Sequence, residues 1–294
     1  MKFVDPKTDI AFKKIFGNDA HKDILIEFLN EMLELDYAIE NVDILNPYQS
    51  PQVDGLKNTG LDIKAKDSSG REFIIEMQVA KEAWFLQRAM YYSSKAYSQQ
   101  LPIGENYYKL KPVIFLGILD FNLFNTPAYF SRHLIIDKRT LQHEMTDLEW
   151  NFIELKKFHK TEQELETTAE KWIYFIQQGF ELDHIPENAN TQALKMAYQI
   201  AEQHLWNKEE LLVYEGQAMA GHRERNVIET AKIEARKQGR EQGLEQGKLE
   251  GKLEGEKIKA LEIAKNLLAT GLDIETIAKL TGLTHTEIEN LPNS

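Results

Sequence analysis

The chain has 294 residues, 42% of them hydrophobic and 28% charged, which suits a soluble globular protein with room for about two domains. It contains no cysteine, which excludes disulfides, thiolate zinc sites and cysteine nucleophiles and fits a reducing cytoplasm. The net charge of −12 weighs against a nucleic-acid ligand, but the excess acid is uneven: −4 over residues 1–158, −7 over 159–222 and −1 over 223–294.

No apolar run approaches the length of a bilayer span, and the longest, Val113 to Leu119, has the length of a strand. The N-terminus, MKFVDPKTD, has no hydrophobic signal segment. A cytoplasmic protein with no membrane partner is expected.

In chain order, Asp9 is placed to cap a first helix whose Phe12, Ile15 and Phe16 recur at helical spacing. A second helix is predicted from about His21 to Glu34. The period then changes: Val42–Leu45 reads as a strand stopped by Asn46-Pro47, and Leu61 to Lys66 alternates strictly. Asp67-Ser68-Ser69-Gly70 is turn chemistry, and Glu72 to Val79 alternates again, which makes an antiparallel hairpin. Ala80 to about Gln100 is predicted helical, with Trp84, Arg88, Tyr91, Tyr92 and Lys95 at three- and four-residue spacings. A buried strand follows at Lys111–Asp120, with further strands at Tyr129–Asp137 and Asn151–Leu155. This order predicts an α/β or α+β domain up to residue 158.

From Thr161 to about Gln217 the pattern is helical throughout, an acidic helical domain at 159–222. Glycines at 239, 243, 247, 251 and 255 then recur every fourth residue within a Gly/Glu repeat spanning 223–260. Each mid-helix glycine costs about 1 kcal/mol against alanine, so two readings stand: a solvated linker helix, or a dimer seam of closely approaching backbones. The tail, 261–294, predicts two short helices around Thr281-Gly282-Leu283, the second capped by Thr284 and Glu287. It is helix-turn-helix-like. Its second helix carries Glu287 and Glu289 and no Lys or Arg, so it reads as a packing or assembly module in preference to a DNA reader.

The chemistry concentrates on the hairpin. Ile74, Glu76 and Gln78 share one face of the returning strand, and folding at 67–70 brings Asp62 near Glu76. Two carboxylates there can share a hard divalent cation, with Gln78 orienting the attacking water. The plainer reading is the polar outer face of a half-exposed hairpin. Against it stands Glu76 inside Phe73-Ile-Ile-Glu-Met-Gln-Val79, where a buried charge must be paired or bound. No histidine pair has zinc spacing, and no phosphate loop or hydrolase serine elbow is present.

The spacing D(x)13-E-x-Q at Asp62, Glu76 and Gln78 resembles the PD-(D/E)XK nuclease superfamily. More closely, the chain resembles the recombination-promoting nuclease (Rpn)/transposase family. The resemblance is carried by Asp9-Ile-Ala-Phe-Lys-Lys-Ile-Phe16-Gly, the hairpin, Phe152-Ile-Glu-Leu-Lys-Lys-Phe158, Lys171-Trp-Ile-Tyr-Phe175 and the glycine/glutamate tail. It implies a central mixed sheet flanked by helices, followed by an all-α C-terminal region. It also implies a Mg²⁺- or Mn²⁺-dependent endonuclease that hydrolyses DNA phosphodiesters and is linked to mobile elements.

By that resemblance Asp62 and Glu76 match the metal-binding acids, and Gln78 occupies the superfamily's lysine position. Glutamine cannot supply a lysine's charge; Lys64 is a candidate substitute, Asp9 a flanking acid and Arg88 a phosphate contact. The expected partners are DNA and a second copy of the chain, as a dimer through the C-terminal helices. The alternative is a catalytically inactive nuclease fold that serves as an interaction or assembly module.

Overall fold

A computed structural model describes residues 2–49 and 59–291, which form two compact units, Met1–Arg223 and Glu224–Ser294. The first opens with helices α1 (Asp9–Phe16) and α2 (Lys22–Met32), then strands β1 (Val42–Leu45), β2 (Tyr48–Gln49), β3 (Thr59–Gly60), β4 (Ile63–Asp67) and β5 (Glu72–Gln78). Helix α3 (Phe85–Ser98), strands β6 (Val113–Leu119), β7 (Phe130–Ile135) and β8 (Met145–Glu154), and helices α4 (Thr168–Gln178) and α5 (Gln192–Ala201) follow.

Six strands make one mixed sheet in the order β1-β4-β5-β6-β8-β7, with β2 and β3 paired separately. The central β5, β6 and β8 run parallel, while β1-β4-β5 and β7-β8 are antiparallel. A parallel centre has both faces covered, which favours a continuous apolar run in its middle strand, β6. Every residue of β6 is accordingly buried.

One core, on the face bearing Phe73, Ile75 and Met77, joins the sheet to α1, α2, α4 and α5. The other, on the face bearing Ile74, lies under α3 and includes Phe85, Ala89, Phe115 and Phe152. Residues 159–222 thus contribute α4 and α5 to the same core as α1 and α2. Glu27 of α2 ties them polarly, accepting from Trp172 Nε1 (3.1 Å) and Thr191 Oγ1 (2.7 Å).

Several expected elements shift. Thr8, not Asp9, precedes α1 as its N-cap, and Asp9 instead pairs with Lys13 at 2.6 Å. Helix α3 starts at Phe85, five residues after the predicted start, because bends and a turn occupy 79–84. Strand β8 begins at Met145, ahead of the predicted Asn151, because β6 and β7 both pair with it. The stretch 161–217 is not helical throughout. Pro186 has no N–H to continue a helix, and Thr167 and Thr191 restart α4 and α5 by capping Glu170 and Leu194 N–H.

Helix α6 (Lys208–Ala269) carries the glycine repeat, and space beside each repeat glycine is open. In the second unit Ala264, Ile277, Leu283 and Ile288 form a small core with α7 (Ile274–Thr281) and α8 (His285–Glu289). Gly282, at φ +71°, closes α7 in the left-handed conformation that glycine adopts without strain. The Thr284–Glu287 capping box opens α8, as the sequence predicts.

Candidate active site

The hairpin turn sets the register on which the site depends. Asp67 Oδ1 accepts from Ser69 N–H (3.0 Å), Ser69 Oγ (2.8 Å) and Arg71 N–H (2.9 Å), and Oδ2 accepts Arg71 Nε at 2.7 Å. Although Asp67 is desolvated, these bonds hold its carboxyl below the usual range. With the turn fixed, Ile63 pairs with Ile75, so the residue before Ile63 lies beside Glu76.

That residue, Asp62, stands at a bend just ahead of β4. The predicted strict alternation from Leu61 therefore fails there: Leu61 enters the core under α3, whereas Ile63 enters the opposite core. The bend lets backbone and side chains clasp reciprocally. Asp62 N–H donates to Glu76 Oε1 (3.1 Å), Met77 N–H donates to Asp62 Oδ2 (2.7 Å), and Gln78 Nε2 donates to Glu76 Oε2 (3.3 Å). The structure thus brings Asp62, Glu76 and Gln78 together.

Glu76 is only 3% exposed. Its partner across β6 is Gly117, where a Cβ would meet Phe152 Cδ1 at 2.9 Å, so an aromatic ring fills the place beside the carboxylate. Burial, then the adjacent Asp62 charge, pushes Glu76 up to about 8. Burial also raises Asp62, with the Met77 N–H and Lys13 opposing it. Two desolvated carboxylates that repel destabilise each other's charged form, which a proton or a bound cation relieves.

The remaining candidates divide. Arg88 approaches from α3: its Nη1 pairs with Glu82 at 2.5 Å, its guanidinium lies over Phe85 and Tyr92, and its charge acts on both carboxylates. Its Nε and Nη2 are buried and lack a hydrogen-bond partner among the described residues. Lys64 is turned away, paired with Glu72 at 2.9 Å. Asp9 acts on Asp62 from α1.

Lys13 also acts on both carboxylates, and the sequence reading passed over it. Its one local signal is the i,i+4 spacing from Asp9. What brings it there is tertiary: Gly17, one turn on, packs against Ile63 beside Asp62.

Asp62 and Glu76 offer hard oxygen donors, the set that suits Mg²⁺ bound through two carboxylates with the other positions left to water and phosphate oxygens. Among the described residues no cluster of three or more Asp, Glu or His could hold a metal, and no helix is long and apolar enough to cross a membrane.

Residues 6–231 match the family model described as PD-(D/E)XK nuclease family transposase. Residues 257–293 match the Rpn/YhgA-like nuclease family, C-terminal HTH domain. No curated protein and no solved structure matches the chain. The mixed sheet with flanking helices and a helical C-terminal region is the fold that the first match calls for. The second, which spans α7 and α8, is described as a helix-turn-helix domain, the geometry that the tail's sequence predicts.

Proposed function

Since the chain belongs to the PD-(D/E)XK nuclease family transposases, we propose that it is a divalent-metal-dependent endonuclease hydrolysing DNA phosphodiesters at Asp62, Glu76 and Gln78. The observation that carries this reading is the buried clasp, in which burial and then the Asp62 charge raise Glu76 to about 8 at a place where hard oxygen ligands converge. Asp62 and Glu76 are the residues that would hold Mg²⁺ or Mn²⁺. Such an ion, when bound, supplies Lewis-acid chemistry, acidifying water and neutralising charge that develops on phosphoryl oxygens.

The rest falls to this chain's own groups. The Gln78 amide, already aimed at Glu76, orients the attacking water through its oxygen or its NH₂. Arg88, whose charge acts on both carboxylates, is the guanidinium that would hold a non-bridging phosphate oxygen. Gln78 brings no positive charge, so among the described residues Arg88 and Lys13, whose charges act on both carboxylates, are the cations that would stabilise the transition state. The HTH tail supports DNA as the substrate. Its acidic α8 argues that it binds by a route other than phosphate contacts from that helix.

Cleavage of supercoiled plasmid in Mg²⁺ or Mn²⁺ tests the proposal. The native protein nicks or linearises the plasmid, and Asp62→Ala, Glu76→Ala and EDTA each abolish cleavage. Intact plasmid in every lane, with no metal uptake by calorimetry, would leave the assembly-module reading in its place.

A further inference from the structure

The flank of α3 nearest the carboxylates combines exposed aromatic rings with cations. Trp84, Arg88, Tyr91 and Lys95 follow one another at three- and four-residue spacings and share one side of the helix. Leu86 and Met90 fall on the other side. Trp84, the residue before α3, is 73% exposed, and Tyr91 is 41% exposed. Lys95 lies over the Tyr91 ring, its ammonium 6.0 Å from the centroid, and Arg88 lies over Tyr92.

Phe85, the residue after Trp84, packs on the Phe152 ring at 6.2 Å, and that ring covers Gly117 opposite Glu76, which places the start of α3 beside the site. The local charge also departs from the chain as a whole. Residues 79–104 carry Lys81, Arg88 and Lys95 against a single acid, Glu82, in a protein of net charge −12.

An exposed indole, cations at helical intervals and a neighbouring phosphodiester-cleaving site form the pattern that single strands use: bases stack on aromatic faces while the backbone tracks a positive groove. We infer that this flank of α3 is the track for a nucleic-acid strand whose base beside the scissile phosphate is unpaired. Trp84 stacks on that base, and Lys95 holds a phosphate about three turns further along the helix. The inference rests on the nuclease reading and deepens it, because it names single-stranded or locally unpaired DNA as the preferred substrate class.

The test is fluorescence anisotropy in EDTA, where no cleavage occurs, with labelled oligodeoxythymidine and a blunt duplex as separate probes. Oligodeoxythymidine should bind the native protein tighter than the duplex does. Trp84→Ala should weaken the single-strand affinity roughly 5- to 150-fold, by loss of one stacked base, with a smaller change for the duplex. Trp84→Phe should restore most of the loss, and Lys95→Gln should reduce the salt slope by about 0.7.

Thermal melting confirms that these exposed-site variants stay folded. Unchanged oligodeoxythymidine binding by Trp84→Ala would overturn the inference, as would equal losses for both probes. A Trp84→Ala protein that binds normally but sediments as a smaller species would show an assembly surface instead. The plasmid assay scores the nuclease reading separately: cleavage without Trp84-dependent strand binding sinks only the track, and Trp84-dependent binding with no cleavage sinks only the nuclease.

Discussion

Strand β5 turns Phe73, Ile75 and Met77 into the core shared with α1, α2, α4 and α5, and Ile74, Glu76 and Gln78 toward α3. On the first face every position is apolar and closed. On the second, packing is complete at Ile74 and then gives way at Glu76 to a carboxylate beside a glycine and a phenylalanine ring. The contrast teaches that the reactive face carries its own packing, the Gly117 backbone and the Phe152 ring beside Glu76. Glu76 is raised because apolar neighbours exclude water from it, so the same close packing that stabilises the fold also tunes the acid.

The largest effects should separate the two faces. Asp62→Asn should lower plasmid cleavage by at least about 100-fold while leaving the urea unfolding midpoint nearly unchanged, because its amide oxygen still accepts the Met77 N–H. Ile75→Ala should cost about 2–5 kcal/mol in urea unfolding, yet keep its activity per folded molecule. Loss of activity by the folded Ile75→Ala protein would show that the faces are not separable.

The next effect is a pH dependence. Glu76 holds its proton up to about 8 in the fold, against 4.5 ordinarily. A raised native pKa means that the stabilising contribution is complete below about 4.5 and is lost as pH rises to about 8. The metal-free native protein should therefore melt lower at pH 8 than at pH 5. Glu76→Gln should flatten that slope and raise the melting temperature at pH 8 by a few degrees. Mg²⁺ affinity, which needs the carboxylate, should strengthen over the same interval. A slope left intact by Glu76→Gln would place the titrating group elsewhere.

The smallest effect belongs to α6, where the repeat glycines face open space. Gly243→Ala should stabilise the helix by up to about 1 kcal/mol, read as raised helicity on heating, with no change in cleavage. Dissociation of an oligomer on the same substitution would instead identify the glycines as a seam between copies.

Much of this was legible because it is local. The 67–70 turn, the alternation of β5 and the Thr284–Glu287 box each depend on hydrogen bonds and periodicities spanning a few residues. From them the pairing of Asp62 with Glu76 and Gln78 followed directly. The late start of α3 and the early start of β8 were not legible, because β8's length is set by strands it meets far along the chain.

By itself, then, the sequence determined the hairpin, the three residues that cluster on it and the helical nature of the tail, since neighbours in the chain suffice to encode them. Only the tertiary structure decided that Asp62 sits at a bend dividing Leu61 from Ile63 between two cores. It alone decided that the charges of Lys13 and Arg88 act on the carboxylates from α1 and α3, while Lys64 turns to Glu72. Those outcomes rest on which surfaces bury one another across long loops, a matter of packing complementarity that no short-range period records.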